Sequence, residues 1–522
     1  MSVATVPAPY DEMLDDGRPR ATHRALFATL EELGPQGLAE RARQRDSYLD
    51  RHGITFTLGE RERPLPMDLV PRIITPAEWL SVEAGVIQRL QALEMFLADV
   101  YGDMQVLSDR VIPRTLVTSS THFHRQAWGV KPANNVRIHV SGIDLIRDED
   151  GIFRVLEDNL RNPSGVSYVI ENRRTLAHVL PEVFAKHRVR SISEYPERLL
   201  DALRASAPEG VDDPTVVVLT PGVHNSAHYE HAFLARHMGI ELVEGRDLYC
   251  REGRVWMRTT SGPRVVDVIY RRIDDDFLDP VHLRPDSVLG VPGLINVARA
   301  GRVGIANAIG NGVADDKAIY PYVPALIRYY LGQEPILPNV DTYDLSDPDQ
   351  REHVINNIER MVVKPADGSG GYGLVMGPTA TEKELIGAIA AVKLDPRAWI
   401  AQPVVRFSTY PTVVEDGVIR SRHVDLRPFA VNDGKNVYVL PGGLSRVALP
   451  EGSLVVNSSQ GGGSKDTWVL EDTMTIDRPV PPETPRAVTI DMDVPDRVDA
   501  PSAHDDRMLQ QERQQQQGGF PC

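Results

Sequence analysis

A glycine-rich turn with a lysine just upstream is the first feature that could do chemistry. Gly368, Ser369, Gly370, Gly371, Tyr372 and Gly373 fit the pattern G-x-G-x-x-G, and Lys364 precedes them. A dinucleotide-binding turn runs directly into a helix. Here LVMGP follows, which reads as a strand ending at a breaker. A kinase-type glycine loop comes before its lysine strand, whereas Lys364 comes first here. A P-loop ends in G-K-[ST], which this turn lacks. The remaining reading is a glycine loop between two strands. Successive backbone N–H groups in such a loop can surround phosphate oxygens, and glycine lets the chain approach closely. Lys364 adds a point charge to the same anion. The plainer alternative is a flexible hairpin with a solvated lysine.

The second feature is Glu157-Asp158-Asn159-Leu160-Arg161. Residues two apart on a strand share a face, so Glu157 and Asn159 point together. Asp144, on the preceding strand, joins them across a hairpin. Two carboxylates and an amide oxygen suit magnesium, which also takes phosphate oxygens and water. Arg161 follows, where a guanidinium can neutralise phosphate charge. A solvated polar turn is the bland alternative.

Arginines in the C-terminal part form a third group. His423, Asp425 and Arg427 alternate along one strand, Arg446 follows Pro441-Gly442-Gly443, and Asn457 and the run GGGSKD lie beyond. This pattern suits anion recognition, or else surface ion pairs. His224, His228 and His231 would share a helix face, which suggests zinc. However, HExxH is absent and the segment starts in a Pro-Gly turn, so packing or substrate contact is the better reading. His122 and His124 have strand spacing and no evident partners. No G-x-S-x-G elbow occurs, and Cys250 has no motif around it.

These residues need elements to hold them. Residues 1–20 read as a disordered N-terminus and 21–130 as a mostly helical region. Within it, Thr75, Pro76 and Glu78 form a capping-box start. Trp79, Val82, Val86, Leu90, Leu93 and Leu97 then follow at helical spacing. Two strands joined through 147–151 carry the acidic residues of the unit 131–190. PTVVVLTPG, a helix and ELVEG open a βαβ pattern, so 211–314 reads as a parallel α/β unit. The unit 315–470 begins with a helix over 315–331. It then carries the lysine strand, the glycine turn, a helix at TEKELIGAIAAV, the strand WIAQPVV and further sheet. Residues 471–522 read as a disordered Gln-rich tail.

The 522 residues are 42% apolar and 25% charged, ordinary for a globular chain. The net charge is −16, of which the tail carries −6. A nucleic-acid binder normally shows a basic footprint, so no nucleic-acid partner is expected. Two cysteines build neither a disulfide framework nor a zinc site, which fits a reducing cytoplasm. The N-terminus lacks signal-peptide character and no apolar run reaches membrane-span length, so no membrane partner is expected.

Together the pieces resemble the ATP-grasp superfamily with its parts in rotated order. In the usual order an α/β domain comes first. A lysine segment, a strand with lysine and glycine loop, and a hinge strand follow. An E-x-N-x-R-like strand pair ends the fold. Here DDKAIYPYVP with Lys317, MVVKPADGSGGYG with Lys364, and WIAQPVV with Gln402 follow the α/β unit. Asp144 and EDNLRNPSG, the usual ending, come first. VIYRRIDDDFLDP, ANAIGNGVADDKAIYPYVP and VVNSSQGGGSKDTWVL closely resemble circularly permuted ATP-grasp type 2 proteins, similar in style to glutathionylspermidine synthase.

The resemblance covers about 60 to 470. It implies an α/β (α+β) class: a circularly permuted ATP-grasp fold with an inserted Rossmann-like domain and a helical N-terminal region. It implies a ligase that uses ATP and Mg2+ to join a carboxylate to an amine through an acylphosphate. A phosphotransferase or a silent ATP-binding scaffold is the alternative. Lys317, Lys364 and the loop Gly368 to Gly373 would hold phosphates, and Gln402 would contact adenine. Asp144, Glu157 and Asn159 would hold the metal. Arg161, Arg427 and Arg446 would meet the transferring phosphate or the carboxylate. The implied partners are a small-molecule carboxylate and an amine or peptide, with a partner protein or a second copy of the chain as further candidates.

Overall fold

The computed structural model describes residues 9–58, 61–64, 66–368, 373–453, 456, 462–472 and 510. The helix Pro76–Val100 starts at the expected box. Thr75 Oγ1 accepts from Glu78 N at 3.3 Å, and Glu78 Oε2 accepts from Thr75 N at 2.9 Å. Its apolar stripe from Trp79 to Leu97 is buried, and it packs against the helix Val323–Leu331. An earlier helix, Arg24–Arg51, bends at Gly34, whose φ of 60° precedes Pro35. That proline cannot donate to the helical ladder, which accounts for the bend. The helical region also holds short strands. Arg72–Ile74 is one, and it runs parallel to Thr467–Val469.

Of the segment read as a mobile start, residues 1–8 lie outside the described ones. Glu12 within it is buried and ion-paired with Arg72 at 2.6 Å. Most of the tail also lies outside. Its described member Gln510 is buried and accepts from Val288 N at 2.7 Å.

Three sheets frame the site. The largest orders its strands Val437–Val439, Phe429–Asn432, Val140–Arg147, Ile419–Arg427, Leu444–Val447 and Gly463–Lys465. Phe153–Asn159 pairs with Val140–Arg147, and Thr409–Val413 pairs with Ile419–Arg427. The acidic hairpin therefore lies with one edge against Ile419–Arg427 and Phe429–Asn432, nearly 300 residues later in the chain, through pairs such as Leu145↔Leu426 and Gly142↔Phe429.

The second sheet is parallel, with Gly304–Ala306, Val268–Arg271, Val216–Leu219 and Glu241–Val243 in order. Helix His228–Met238 connects two of its strands, as the βαβ pattern requires. The third is small and antiparallel: Tyr343–Asp344, Trp399–Pro403, Met361–Pro365 and Val375–Met376. It has its own small apolar core, which includes Val363, Ala401 and Val392.

The continuous helix expected over 315–331 is not formed. A turn at Asp315–Ile319 and a 3-10 turn at Tyr320–Tyr322 precede the helix Val323–Leu331. Asp316 bends the chain by accepting from Ala318 N at 2.9 Å. Pro321 and Pro324 lack the N–H groups that a longer helix would use. Among the described residues no helix is long and apolar enough to cross a membrane.

Candidate active site

The hairpin places its acids by register. Asp144 lies directly opposite Glu157, and Gly142 opposite Asn159, with a β-bulge just after Asp144. A bulge re-aims the side chains beside it. Asn159 Nδ2 donates to Asp144 Oδ1 at 3.2 Å. Glu157 stays partly open, its side chain 24% exposed, whereas Asp144 is buried.

The strand Ile419–Arg427 runs beside this hairpin, and Leu444–Val447 lies next to that strand. Arg427 pairs with Asp144 through both Nε and Nη2, the latter at 2.6 Å. Arg446 Nη2 donates to Asp144 Oδ2 at 2.7 Å and its Nε to Asp425 Oδ2 at 2.9 Å. Asp425 and Arg446 are register partners. Arg427 Nη1 is buried with no hydrogen-bond partner among the described residues. An orphan cationic donor of this kind is costly unless an anion meets it.

Lys317 approaches from another segment. The two acids before it fix its place. Asp315 accepts from Leu160 N at 2.5 Å and from Arg161 N at 3.0 Å. Asp316 accepts from Ser120 Oγ at 2.6 Å and from Arg397 Nη2 at 2.5 Å. Lys317 N donates to Ala366 O at 3.1 Å. Its ammonium donates to Gly368 O at 2.7 Å and stands 3.4 Å from Glu157. Lys364 Nζ donates to Gln402 Oε1 at 2.7 Å.

These charges set one another's protonation. Burial alone would raise Glu157, but Lys317, Lys364, Arg427 and Arg446 hold its carboxyl well below the ordinary range. Burial pushes Lys364 down to about 8, with Glu157 pulling the other way. The site thus holds an ionised carboxylate among cations that outnumber it, an arrangement suited to polyanionic phosphate.

The structure brings together Asp144, Glu157, Asn159, Lys317, Lys364, Gln402, Arg427 and Arg446. Gly368 joins through its carbonyl, and Gly373 closes the glycine loop with a φ of 74°. Ser369, Gly370, Gly371 and Tyr372 lie outside the described residues. Arg161 is buried and bridges two acids. Its Nε donates to Asp315 Oδ1 at 3.1 Å and its Nη1 to Asp274 Oδ2 at 3.0 Å.

Asp144, Glu157 and Asn159 carry the hard oxygens that magnesium prefers, with Glu157 the open one and both Asp144 oxygens already bonded to Arg427 and Arg446. The two ammonium groups and the orphan Arg427 Nη1 suit phosphate oxygens. The residues present therefore fit both groups by donor chemistry.

Other leads resolve differently. His224 precedes the helix that begins at His228, so the three histidines do not share a helical face. His231 is buried against Thr220 Oγ1 at 2.9 Å. His122 is half-buried beside Arg161, Asp274, Asp315 and Asp316, and desolvation lowers it to about 4. Among the described residues no cluster of three or more His, Cys, Asp or Glu could hold a metal. Lys465 of GGGSKD is buried and paired with Asp68, and Asp466 accepts from Arg173 Nε at 2.8 Å. Asn457 lies outside the described residues. The sequence reading missed Asp315 and Asp316, whose signal was the acid pair directly before Lys317.

The chain is similar to several known proteins. The family profile "Circularly permuted ATP-grasp type 2" matches residues 71–448. An uncharacterized protein of Mycobacterium tuberculosis is 59% identical over 466 residues, covering 88% of this chain and 84% of that one. A Frankia alni protein named "Putative glutamate--cysteine ligase 2-3" is 45% identical over 89% of this chain, which spans 54% of that protein. Among solved structures, a glutathione synthetase-like effector from Globodera pallida in apo form matches with a TM-score of 0.54 and 12% identity. That match covers 84% of this chain and 98% of the effector. The family match spans well over half of the chain. The chain belongs to the circularly permuted ATP-grasp type 2 family.

Proposed function

We propose that this chain is an ATP- and magnesium-dependent ligase that joins a small-molecule carboxylate to an amine or peptide. The observation that carries the reading is the Glu157 carboxylate, held ionised beside Lys317 and opposite Asp144, with Arg427 and Arg446 behind it. The family and the ligase name of the Frankia relative support it.

On this reading Lys317 and Lys364 hold phosphate oxygens, and Asp144, Glu157 and Asn159 hold the metal. Magnesium, when bound, supplies further neutralisation of phosphate charge. Arg427 and Arg446 face the transferring phosphoryl group or the acceptor carboxylate. The carboxylate oxygen bonds to the γ-phosphorus as the bridging P–O bond breaks, and ADP leaves. The amine nitrogen then bonds to the carbonyl carbon of the acylphosphate. Phosphate leaves with the C–O electron pair, and the amine proton passes to solvent. Positioning and charge neutralisation dominate such transfers, and the surplus of cations provides both.

The test is magnesium-dependent ADP release from ATP with pooled carboxylates, amines, short peptides and polyamines. Stimulation that requires both a carboxylate and an amine supports the ligase. A stable phosphorylated acceptor formed without amine would replace it with a phosphotransferase. ATP binding without ADP under all pools would replace it with a scaffold.

A further inference from the structure

The Gln402 side chain is engaged at both polar atoms. Its Oε1 accepts from Lys364 Nζ at 2.7 Å, and its Nε2 donates to Thr342 Oγ1 at 2.9 Å. The Thr342 hydroxyl spends its single proton on Val340 O at 3.0 Å. Its oxygen can therefore only accept from Gln402. That fixes which way the amide faces: the nitrogen toward Thr342 and the oxygen toward the lysine. Gln402 is 3% exposed, so its amide has little access to water.

The chain of bonds continues into the acidic hairpin. Val340 N donates to Val155 O at 2.8 Å, and Val155 N donates to Pro338 O at 2.9 Å. Val155 lies two residues before Glu157 on the same strand. Lys364 belongs to the small sheet and Glu157 to the large one. The relay Lys364–Gln402–Thr342–Val340–Val155 thus ties the two halves of the site together. Register agrees with this. Gln402 lies opposite Val362, which makes it the diagonal neighbour of Lys364 on the same face.

We propose that Gln402 is a positioning residue that aims Lys364 at the phosphate site, with Thr342 orienting the amide, rather than an adenine contact. This rests on the proposed function only where nucleotide affinity is measured. A glutamate at this position would form an ion pair with Lys364 and draw its charge away from phosphate. A neutral amide holds the lysine while leaving the charge available.

Two measurements test the relay. The first is pulse acylation of lysines in the nucleotide-free full chain, read by mass spectrometry with exposed Lys383 as internal reference. Lys364 should label several-fold faster in Gln402→Leu and Thr342→Val, and at the native rate in Thr342→Ser. An unchanged Lys364 rate in Gln402→Leu overturns the relay. The second is ATP affinity by calorimetry. Gln402→Leu should weaken it roughly tenfold, the scale of one hydrogen bond to a charged group. The double variant with Lys364→Ala should bind no more weakly than Lys364→Ala alone. Additive losses would assign Gln402 its own contact with the nucleotide. If the native chain does not bind ATP, the ligase reading fails, and the labelling experiment still decides the relay.

Discussion

Lys317 Nζ stands 3.4 Å from the Glu157 carboxylate while donating to Gly368 O at 2.7 Å, so one ammonium links the acidic hairpin to the glycine loop. Glu157 is held ionised by the cations around it. Removing it takes away one proposed metal ligand and leaves Lys317 and Lys364 facing phosphate. Glu157→Ala should therefore lose ADP release by on the order of a hundredfold or more, the scale for one lost electrostatic contact in an active site. Metal-free ATP binding should persist. Melting temperature should fall less than for Asp144→Asn, because this side chain is partly open to solvent while Asp144 is buried. Full ADP release in the variant would remove the metal assignment.

On the proposed function, Lys364 should give ATP binding a pH dependence. Burial lowers it to about 8 from an ordinary 10.5, against the pull of Glu157 and Asp144 and with the push of Lys317 and Arg446. Between those values the unfolded chain binds more protons than the folded one, so this group's contribution to stability rises with pH across that window. A phosphate beside the amine favours its charged form. ATP binding should then take up a proton near pH 8, and affinity should fall as pH rises through that value. Calorimetry in buffers of different ionisation heat reads the proton directly. Lys364→Arg should abolish the uptake, and equal affinity across the window in the native chain would contradict the assignment.

Local features were legible in the sequence because their partners are near in the chain. Thr75 and Glu78 cap each other across three residues, and Asp144 meets Glu157 through one short hairpin. Lys465 of the run GGGSKD has its partner, Asp68, 397 residues away, so only tertiary pairing shows that it is buried. The ion pair of Arg161 is hidden in the sequence for the same reason, since Asp315 lies 154 residues later. Asp315 and Asp316 carry no motif of their own, and their partners Leu160, Arg161, Ser120 and Arg397 are all distant in the chain. The helix expected over 315–331 failed on local chemistry that periodicity ignores, namely two prolines and an aspartate that bonds back to its own turn.

Asp144 does structural work that Glu157 does not. It is buried with Arg427 and Arg446 both bonded to it, so its loss leaves two guanidinium groups under-paired. Breaking a buried pair from one side costs about 3–5 kcal/mol. Asp144→Asn should lose stability on that scale in urea unfolding, whereas Glu157→Gln should lose much less. Equal losses would show that the two acids are equivalent scaffold residues.

Arg161 should act through Lys317 rather than on phosphate. Its guanidinium bridges Asp274 and Asp315, and Asp315 lies two residues before Lys317. A lysine keeps the charge but cannot make both bonds with a fixed fork. Arg161→Lys should therefore weaken ATP binding and turnover by about the same factor as Asp315→Asn. The double variant should be no worse than either single one, since both free the same turn. Independent effects in this cycle would mean that Arg161 reaches the phosphate itself. The distinction matters for the site as a whole. If the cycle closes, Arg427 and Arg446 are the arginines left to meet the transferring group, and the Asp315–Arg161 pair is the clamp that lets the inserted α/β unit set the position of Lys317.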